Sequence, residues 1–415
     1  MPERLVSVIG ALAMLALAFA LCPGERRRHV NRRTVVMGVA VLVAMAVLVL
    51  RTPVRALFSL ANTGVERLLA YSHEGAVFVF GKLADAESFG FVFAVQVLPT
   101  ILFFSALMSI LYHYGVMPFV IERLGRALAH SLAVSGAESF STVADVFVGQ
   151  TEAPLAIRPY LAKMTLSELN ACMVAGFATT AGGVLAAYVA MLGASVPGIA
   201  GHLIACSVMS APASLVIAKL MLPEVDATET SGELRVDIPR TTANVLDAIA
   251  AGATDGLKLA VNVGGMLLVF LALTALANAV FGWLGAHVFG MEFTLEQLFG
   301  WVFSPLAWLL GVPSADVTKI GSLLGQKTVL NEFVAYSHLS EMLAKDPAWL
   351  SERGRLITTY ALCGFANFGS IGVQIGGYSS LAPERRGDLS RLAFRAMLGG
   401  MLATNLVACV AGALL

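Results

Sequence analysis

Eight stretches of this chain are apolar over a length that crosses a lipid bilayer, and this limits its fold more than anything else in the sequence. A spanning helix needs about 20 mostly apolar residues. Val6–Leu21, slightly short but serviceable, Thr34–Leu50, Phe91–Tyr114, Leu166–Leu192, Pro197–Leu220, Asn244–Phe281, Leu356–Leu381 and Leu392–Leu415 fit that description. Only 13% of the 415 residues are charged and 58% are apolar, against roughly 25% charged in an ordinary soluble domain. The fold class expected is an all-α polytopic membrane protein, with the lipid bilayer as its constant partner. The formal net charge is +0, and no basic patch interleaved with aromatics marks a nucleic-acid partner. Cys22, Cys172, Cys206, Cys363 and Cys409 are scattered through apolar sequence without a C-x-x-C pair, and are expected to be packing residues. The seven histidines show no H-x-x-x-H spacing. Neither a metalloenzyme nor a cofactor is expected.

Charge placement sets the expected topology. Glu25-Arg26-Arg27-Arg28-His29 and Arg32-Arg33 follow the first apolar run, and short loops rich in Lys and Arg stay cytoplasmic. A cleaved leader needs its positive charge ahead of the apolar run, and only Arg4 precedes this one. The N-terminus is therefore expected outside. Arg51 to Ser88, with Arg55, Glu66, Arg67, Glu74, Lys82 and Asp85, reads as amphipathic helix at the outer interface. Ile121-Glu122-Arg123-Leu124-Gly125-Arg126 reads as a basic cytoplasmic segment and Pro223 to Arg240 as a cytoplasmic loop. Phe293 to Leu310, led by Glu292 and Glu296, reads as an outer interfacial helix. Arg385, Arg386, Arg391 and Arg395 then fall on the cytoplasmic side, and the last crossing puts the C-terminus outside as well.

Two segments break the apolar pattern. Ser139 to Met164 carries Gly149-Gln150-Thr151-Glu152-Ala153-Pro154 at its middle. An ionisable side chain at bilayer depth costs roughly 2.5 to 3.5 kcal/mol and marks a substrate or ion site. Gly and Pro interrupt a helix, and broken backbone survives in a membrane only where it is buried in protein or lines a cavity. Each half of the segment, about 11 residues, rises roughly 16 Å as α-helix, half of a core about 30 Å thick. The expectation is a re-entrant hairpin with its tip near the midplane, its return arm drawn to the cytoplasm by Arg158 and Lys163. Asp316 to about Leu343 is a second hairpin candidate, with Asn331-Glu332 near its middle. The helix after the first hairpin contains Gly176-Phe177-Ala178-Thr179-Thr180-Ala181-Gly182-Gly183, and the helix after the second contains Gly364-Phe365-Ala366-Asn367-Phe368-Gly369-Ser370. Interfacial helix, glutamate-tipped hairpin and glycine-interrupted helix thus occur twice. Three crossings lie between the units, so the second is expected inverted. Inverted repeats with paired broken segments point to a secondary transporter with its site at the midplane.

The two tips offer an amide at Gln150, a hydroxyl at Thr151, strong acceptors at Glu152 and Glu332, and further donor–acceptor pairs at Asn367 and Ser370. This mixture suits a neutral, hydroxylated or heterocyclic solute. Two carboxylates repel phosphate, and no arginine fork stands at either tip. An intramembrane hydrolase lacks a nucleophile–base pair here and is the weakest reading. Asp145 precedes Gly149 by four residues, one helical turn below the tip and on the same side. With the Val148 carbonyl and the Thr179 hydroxyl it can complete an oxygen cage for a monovalent cation, or it can carry a proton as a desolvated carboxyl. Close packing through small residues is the plain alternative for Thr179, Thr180, Gly182, Gly183, Gly369 and Ser370. Asn367 and Ser370, beside two glutamates, are read as ligand contacts.

Together, Gly149-Gln150-Thr151-Glu152-Ala153-Pro154-Leu155, Asn331-Glu332-Phe333-Val334-Ala335-Tyr336 and Cys363-Gly364-Phe365-Ala366-Asn367-Phe368 resemble the concentrative nucleoside transporter family, over nearly the whole chain and in its compact bacterial form. The resemblance implies eight transmembrane helices plus two re-entrant hairpins, an inverted repeat and an elevator-type transporter fold assembled as a homotrimer. It implies a secondary active symporter of the bacterial inner membrane that imports uridine-, cytidine- or adenosine-type nucleosides on a proton or sodium gradient. By matching position, Gln150, Thr151, Glu152 and Val184 would meet the nucleobase, and Glu332, Asn367, Ser370 and Phe365 the ribose. Asp145, Val148, Thr179 and Thr180 would form the cation site. Residues 1–115 would be N-terminal scaffold, 116–220 the first repeat, 221–290 a cytoplasmic loop and scaffold helix that includes Gly264-Gly265, and 291–415 the second repeat. One departure bears on coupling: sodium-coupled members usually carry Asn where this chain has Asp145 and Ser where it has Thr179. Proton and sodium coupling both stay open, the ionisable side chain favouring the proton. A membrane sensor that binds nucleoside without moving it is the alternative function.

Overall fold

A computed structural model of the protein describes residues 2–52, 55–85, 88, 92–230, 242–284, 286–287 and 293–415, with only the backbone described at 55–59 and 61. The side chain of Arg55, Phe91, residues 231–240 and Glu292, all part of the expected topology, lie outside these. Among the described residues all regular structure is helical. In chain order the helices are α1 (Glu3–Ala20), α2 (Arg32–Arg51), α3 (Arg55–Phe80), α4 (Leu98–His113), α5 (Val116–Leu132) and α6 (Gly136–Phe147). They continue with α7 (Leu166–Ala178), α8 (Gly182–Leu192), α9 (Ile199–Met221), α10 (Val245–Leu284) and α11 (Leu295–Leu309). The last are α12 (Val317–Val329), α13 (Glu332–Lys345), α14 (Glu352–Leu362), α15 (Phe368–Leu381) and α16 (Arg386–Leu414). Seven helical spans among the described residues are long and apolar enough to cross a bilayer. The expected crossing at Leu356–Leu381 is divided instead into the shorter α14 and α15.

Polar residues start the helices that matter for the site. Ser135 and Glu138 form a capping box on α6, and Thr165 and Glu168 form another on α7. Each box satisfies two amides that a helix N-terminus leaves unpaired. Asn331, Ser351 and Asn367 cap α13, α14 and α15 in the same way with single side-chain acceptors. The first hairpin consists of α6 and a return arm at Ala153–Lys163, which is a 3-10 helix rather than the α-helix expected. Pro159 explains the difference, since inside the arm it lacks the amide an α-helix needs and clashes with its preceding turn, whereas Pro154 stands in the first turn, where a helix tolerates proline. The tighter helix rises about 2.0 Å per residue, so the 11-residue arm reaches about 22 Å instead of about 16 Å.

Bonds between distant segments place the bases of the two hairpins at opposite ends of the helix bundle. Arg26 donates to the Pro223 carbonyl (3.5 Å), Arg33 to the His130 carbonyl (3.3 Å), and Arg385 to the carbonyls of Leu161, Ala162 and Met164 (3.3, 3.0 and 2.7 Å). The arginine-rich segments therefore gather where the first hairpin begins and ends. At the same end, buried Glu138 of α6 pairs with Lys219 of α9 at 2.8 Å. On the opposite face Arg353 donates to the Gly311 carbonyl (2.9 Å), the Ser7 hydroxyl (3.1 Å) and the Gly412 carbonyl (2.7 Å). There the Ser351 hydroxyl donates to the Asp316 carboxylate (2.6 Å) and closes the base of the second hairpin, α12 and α13.

Each hairpin is followed by an interrupted helix: α7 and α8 around residues 179–181, and α14 and α15 around residues 363–367. The Gly-Phe-Ala shared by the two does not mark equivalent places. Gly176-Phe177-Ala178 is the last turn of α7, whereas Gly364-Phe365-Ala366 is the break itself. Gly364 has φ +104° and sits so close to Ala178 that an added Cβ would lie 2.8 Å from its carbonyl oxygen. The two breaks thus cross at van der Waals distance, with the Gly364 amide donating to the Thr180 hydroxyl (2.8 Å).

Candidate functional site

Glu332 is the first residue of α13 and is 3% exposed. Asn331 ahead of it is the N-cap, accepting from the Val334 amide at 2.9 Å, which fixes where the helix starts and where the carboxylate projects. Asn367 Nδ2 donates to Glu332 Oε2 (2.8 Å) and the Tyr188 hydroxyl donates to Oε1 (3.2 Å). The Asn367 Oδ1 in turn accepts from the Ser370 amide (2.8 Å), so one side chain caps α15 and orients the carboxylate. A carboxylate has about four lone-pair positions and a carboxamide two donors and two acceptor sites. Glu332 keeps two acceptor positions, Asn367 one donor and one acceptor, and the buried Ser370 brings a hydroxyl. Phe365 is buried in the break beside them. Tyr188 is held by stacking on Tyr336 (centroids 4.2 Å apart) and by an edge contact to Phe333 (4.9 Å).

At the first tip, Gly149 has φ +93° and packs so tightly that an added Cβ would stand 2.7 Å from the Cβ of Ala181 in the first break. The tip is thereby seated on the α7–α8 interruption. Gln150 is buried and its Oε1 accepts from Gln374 Nε2 (3.0 Å), while Gln374 also donates to the Met173 carbonyl (3.0 Å). The Gln150 amide nitrogen is left to point elsewhere. Thr151 and Glu152 are exposed, and Val184 is buried in the first turn of α8.

One helix joins the two groups. Asn367 and Ser370 begin α15 at the second tip; Gln374, on the same helix, holds Gln150 of the first tip, and Gly377 lies against Thr151. Seven residues separate Asn367 from Gln374, or about 10 Å of helix rise.

The expected cation residues fare differently. Asp145 is completely buried, and neither carboxyl oxygen has a hydrogen-bond partner among the described residues. Its Oδ1 lies 3.5 Å from where a Cβ on Gly176 would stand, at the last turn of α7. Val148 is the C-cap of α6. The Thr179 hydroxyl donates to the Ala175 carbonyl (2.9 Å), and Thr180 is engaged by Gly364. Asp145 is therefore the group of the set without a protein partner, and an unpaired buried carboxyl has to take up a cation or a proton.

Sequence reasoning missed Tyr188, Gln374 and Lys327. All three sit inside helices where they read as packing or as stray polar residues. Their signal was available only as polar residues at apolar-looking positions of α8, α15 and α12.

Comparison with known proteins places this geometry. Residues 202–412 match the family model described as Na+ dependent nucleoside transporter C-terminus, residues 94–195 the model described as nucleoside recognition, and residues 9–83 the corresponding N-terminal model. The chain is 44% identical over 413 residues to an uncharacterized transporter of Haemophilus influenzae, covering 98% of this chain and 97% of that protein. It is 41% identical over 427 residues to sodium/nucleoside cotransporter 1 of Rattus norvegicus, covering 100% of this chain and 64% of the rat protein. The structure of CNTnw in an inward-facing substrate-bound state superimposes with a TM-score of 0.92 at 43% identity, covering 99% of this chain and 98% of that one.

Proposed function

The chain belongs to the sodium-dependent nucleoside transporter family, and from that premise we propose that it is a secondary active symporter that imports nucleosides on a proton or sodium gradient. It is a multi-pass membrane protein of a family of transporters, not of enzymes. The observation that carries the proposal is α15, which links a ribose-type diol site at Glu332, Asn367 and Ser370 to Gln374, the side chain that holds Gln150, with about 10 Å of helix rise between Asn367 and Gln374. A rise of that order leaves room for a sugar at one end and a base at the other. The free valences match as well: each ribose hydroxyl needs one acceptor and one donor, and Glu332 with Asn367 supplies both. The base would lie against Gln150, Thr151 and Glu152, with Val184 as apolar wall, and Phe365 would flank the sugar. The coupling cation would bind at Asp145, as a proton on the free carboxyl or as sodium drawing also on Val148, Thr179 and Thr180. The unpaired carboxyl supports the proton.

In this reading both hairpins are re-entrant, residues 1–115 and 221–290 form the scaffold, and residues 116–220 and 291–415 move as the transport domain of a homotrimer. The face of α10 supports a scaffold role, since Leu246, Val261 and Leu268 are each more than 60% exposed along a 40-residue apolar helix. The arginine-rich face would be cytoplasmic and both termini outside, in a bacterial inner membrane. Uptake of radiolabelled uridine and adenosine into proteoliposomes tests the function. Saturable uptake accelerated by an inward proton or sodium gradient is expected. Binding without accumulation would instead identify a sensor, and no uptake of either nucleoside under either gradient refutes the proposal.

A further inference from the structure

Lys327 is a buried cation near Glu332 that makes no hydrogen bond to the residues of the nucleoside site. It is 2% exposed, and its ammonium donates to the Ala361 carbonyl (2.8 Å), the Cys363 carbonyl (3.2 Å) and the Thr404 hydroxyl (3.2 Å). An ammonium has three donors, and here all three are engaged. Thr404 donates its own proton to the Met401 carbonyl (3.0 Å), which leaves a lone pair for the lysine. None of the ion pairs among the described residues includes Lys327. A lysine at membrane depth costs roughly 2.5 to 3.5 kcal/mol even on the lenient insertion scale. What it meets is the C-terminal end of α14, where a helix leaves its last carbonyls unpaired and carries partial negative charge.

The first hairpin has the same arrangement with the opposite sign. Asp145 stands three residues before Val148, the C-cap of α6, and Lys327 three residues before Leu330, the C-cap of α12. Each side chain reaches the end of the interrupted helix that follows its hairpin, Asp145 at Gly176 in the last turn of α7 and Lys327 at Ala361 and Cys363 of α14. One position presents two unpaired carboxyl oxygens; the other already contains a positive charge. We propose that Lys327 is a tethered cation: it fills, in the second repeat, the place that a coupling cation takes at Asp145 in the first. In doing so it holds the α14 end, and with it the break that leads to Asn367, in the binding arrangement without a second ion from solution. The equivalence to Asp145 rests on the cation-coupled reading above, whereas the hold on α14 does not.

Replacing the full-length protein's lysine by Lys327→Ala leaves a cavity shaped for a propyl chain and an ammonium group. Uridine binding, followed as a thermal shift, is expected to weaken at least tenfold in this variant, to recover with n-propylammonium, and not to recover with 1-propanol. Lys327→Met, which keeps the volume and removes the charge, is expected to bind as weakly and to gain nothing from either probe. Wild-type binding by Lys327→Met overturns the proposal, and so does equal recovery with 1-propanol, which marks cavity filling alone. Should the wild-type chain give no uridine response, the nucleoside reading fails separately. The melting temperature of Lys327→Ala without nucleoside, raised by n-propylammonium but not by 1-propanol, then still decides the role of the lysine.

Discussion

The Gly364 amide donates to the Thr180 hydroxyl at 2.8 Å, and this bond ties the two helix breaks to each other across 184 residues of sequence. Both groups are buried. Thr180→Val keeps the shape and removes the acceptor, which leaves an orphaned amide costing about 1–3 kcal/mol. The variant is expected to melt several degrees lower and to bind uridine more weakly, because the break that carries Phe365 and Asn367 loses its anchor. Thr180→Ser, which restores the hydroxyl, should recover most of both. Equal behaviour of the Val and Ser variants in a thermal-shift titration would show that the bond is incidental.

Glu332 receives bonds from Asn367 and Tyr188 while keeping acceptor positions free. Hydrogen bonds to a charged group are worth about 1.5–3 kcal/mol each, so losing two of them to a ribose lowers transport by at least about 100-fold. Glu332→Ala should show that loss in initial uptake of uridine. Competition by deoxyribose nucleosides separates a ribose contact from general damage. The native protein is expected to prefer the full diol, and the residual activity of Glu332→Ala should discriminate less. Unchanged uptake would move the sugar elsewhere.

Gln374 is completely buried and fixes Gln150, the residue proposed to meet the base. Gln374→Met removes the donor to Gln150 Oε1 and to the Met173 carbonyl while keeping volume. Its expected signature is a KM for nucleoside raised about tenfold, equal to about 1.4 kcal/mol, with maximal velocity less affected. A normal KM would show that Gln150 holds its place by packing alone.

How much of this was legible in the sequence follows from what each residue does locally. Glu332, Asn367 and Ser370 could be read because they stand at helix starts, where polar residues in an apolar chain break the pattern. The hairpins were legible for the same reason, through Gly149, Pro154 and Asn331. Tyr188, Gln374 and Lys327 act across the fold, and their partners lie 144, 224 and 34 residues away. No local periodicity records such a pairing. The shared Gly-Phe-Ala gives no register between the copies, since the same text forms a helix end in one and broken backbone in the other. The 3-10 return arm was also missed, although Pro159 carried its cause.

Gly149 combines a left-handed backbone with a close contact to Ala181. Gly149→Ala pays a conformational cost of about 1–2 kcal/mol in addition to the clash. It should lower the melting temperature and uptake together. Ala181→Gly removes the Cβ it collides with, so the double variant is expected to recover the steric part and to retain the conformational part. A double variant no better than Gly149→Ala would place the whole effect in the backbone.

In the proposed function Asp145 is the residue that selects the coupling ion. Its two oxygens lack protein partners, and a carboxyl in that state can accept a proton without help, whereas sodium needs several oxygens around it. The Thr179 hydroxyl donates to the Ala175 carbonyl and the Thr180 hydroxyl accepts from the Gly364 amide, each oxygen keeping a lone pair, so it is the bare carboxyl that favours the proton. Uptake by the native protein is therefore expected to follow an imposed inward proton gradient. Asp145→Asn removes the titratable group but keeps an oxygen ligand, so its uptake should lose that dependence and respond to a sodium gradient instead. Separately imposed pH and sodium gradients in proteoliposomes distinguish the cases. Sodium dependence in both proteins would assign the carboxylate as a sodium ligand. Identical gradient responses with unchanged rates would remove Asp145 from coupling altogether and turn the search to the other acids of the two tips, exposed Glu152 and buried Glu332.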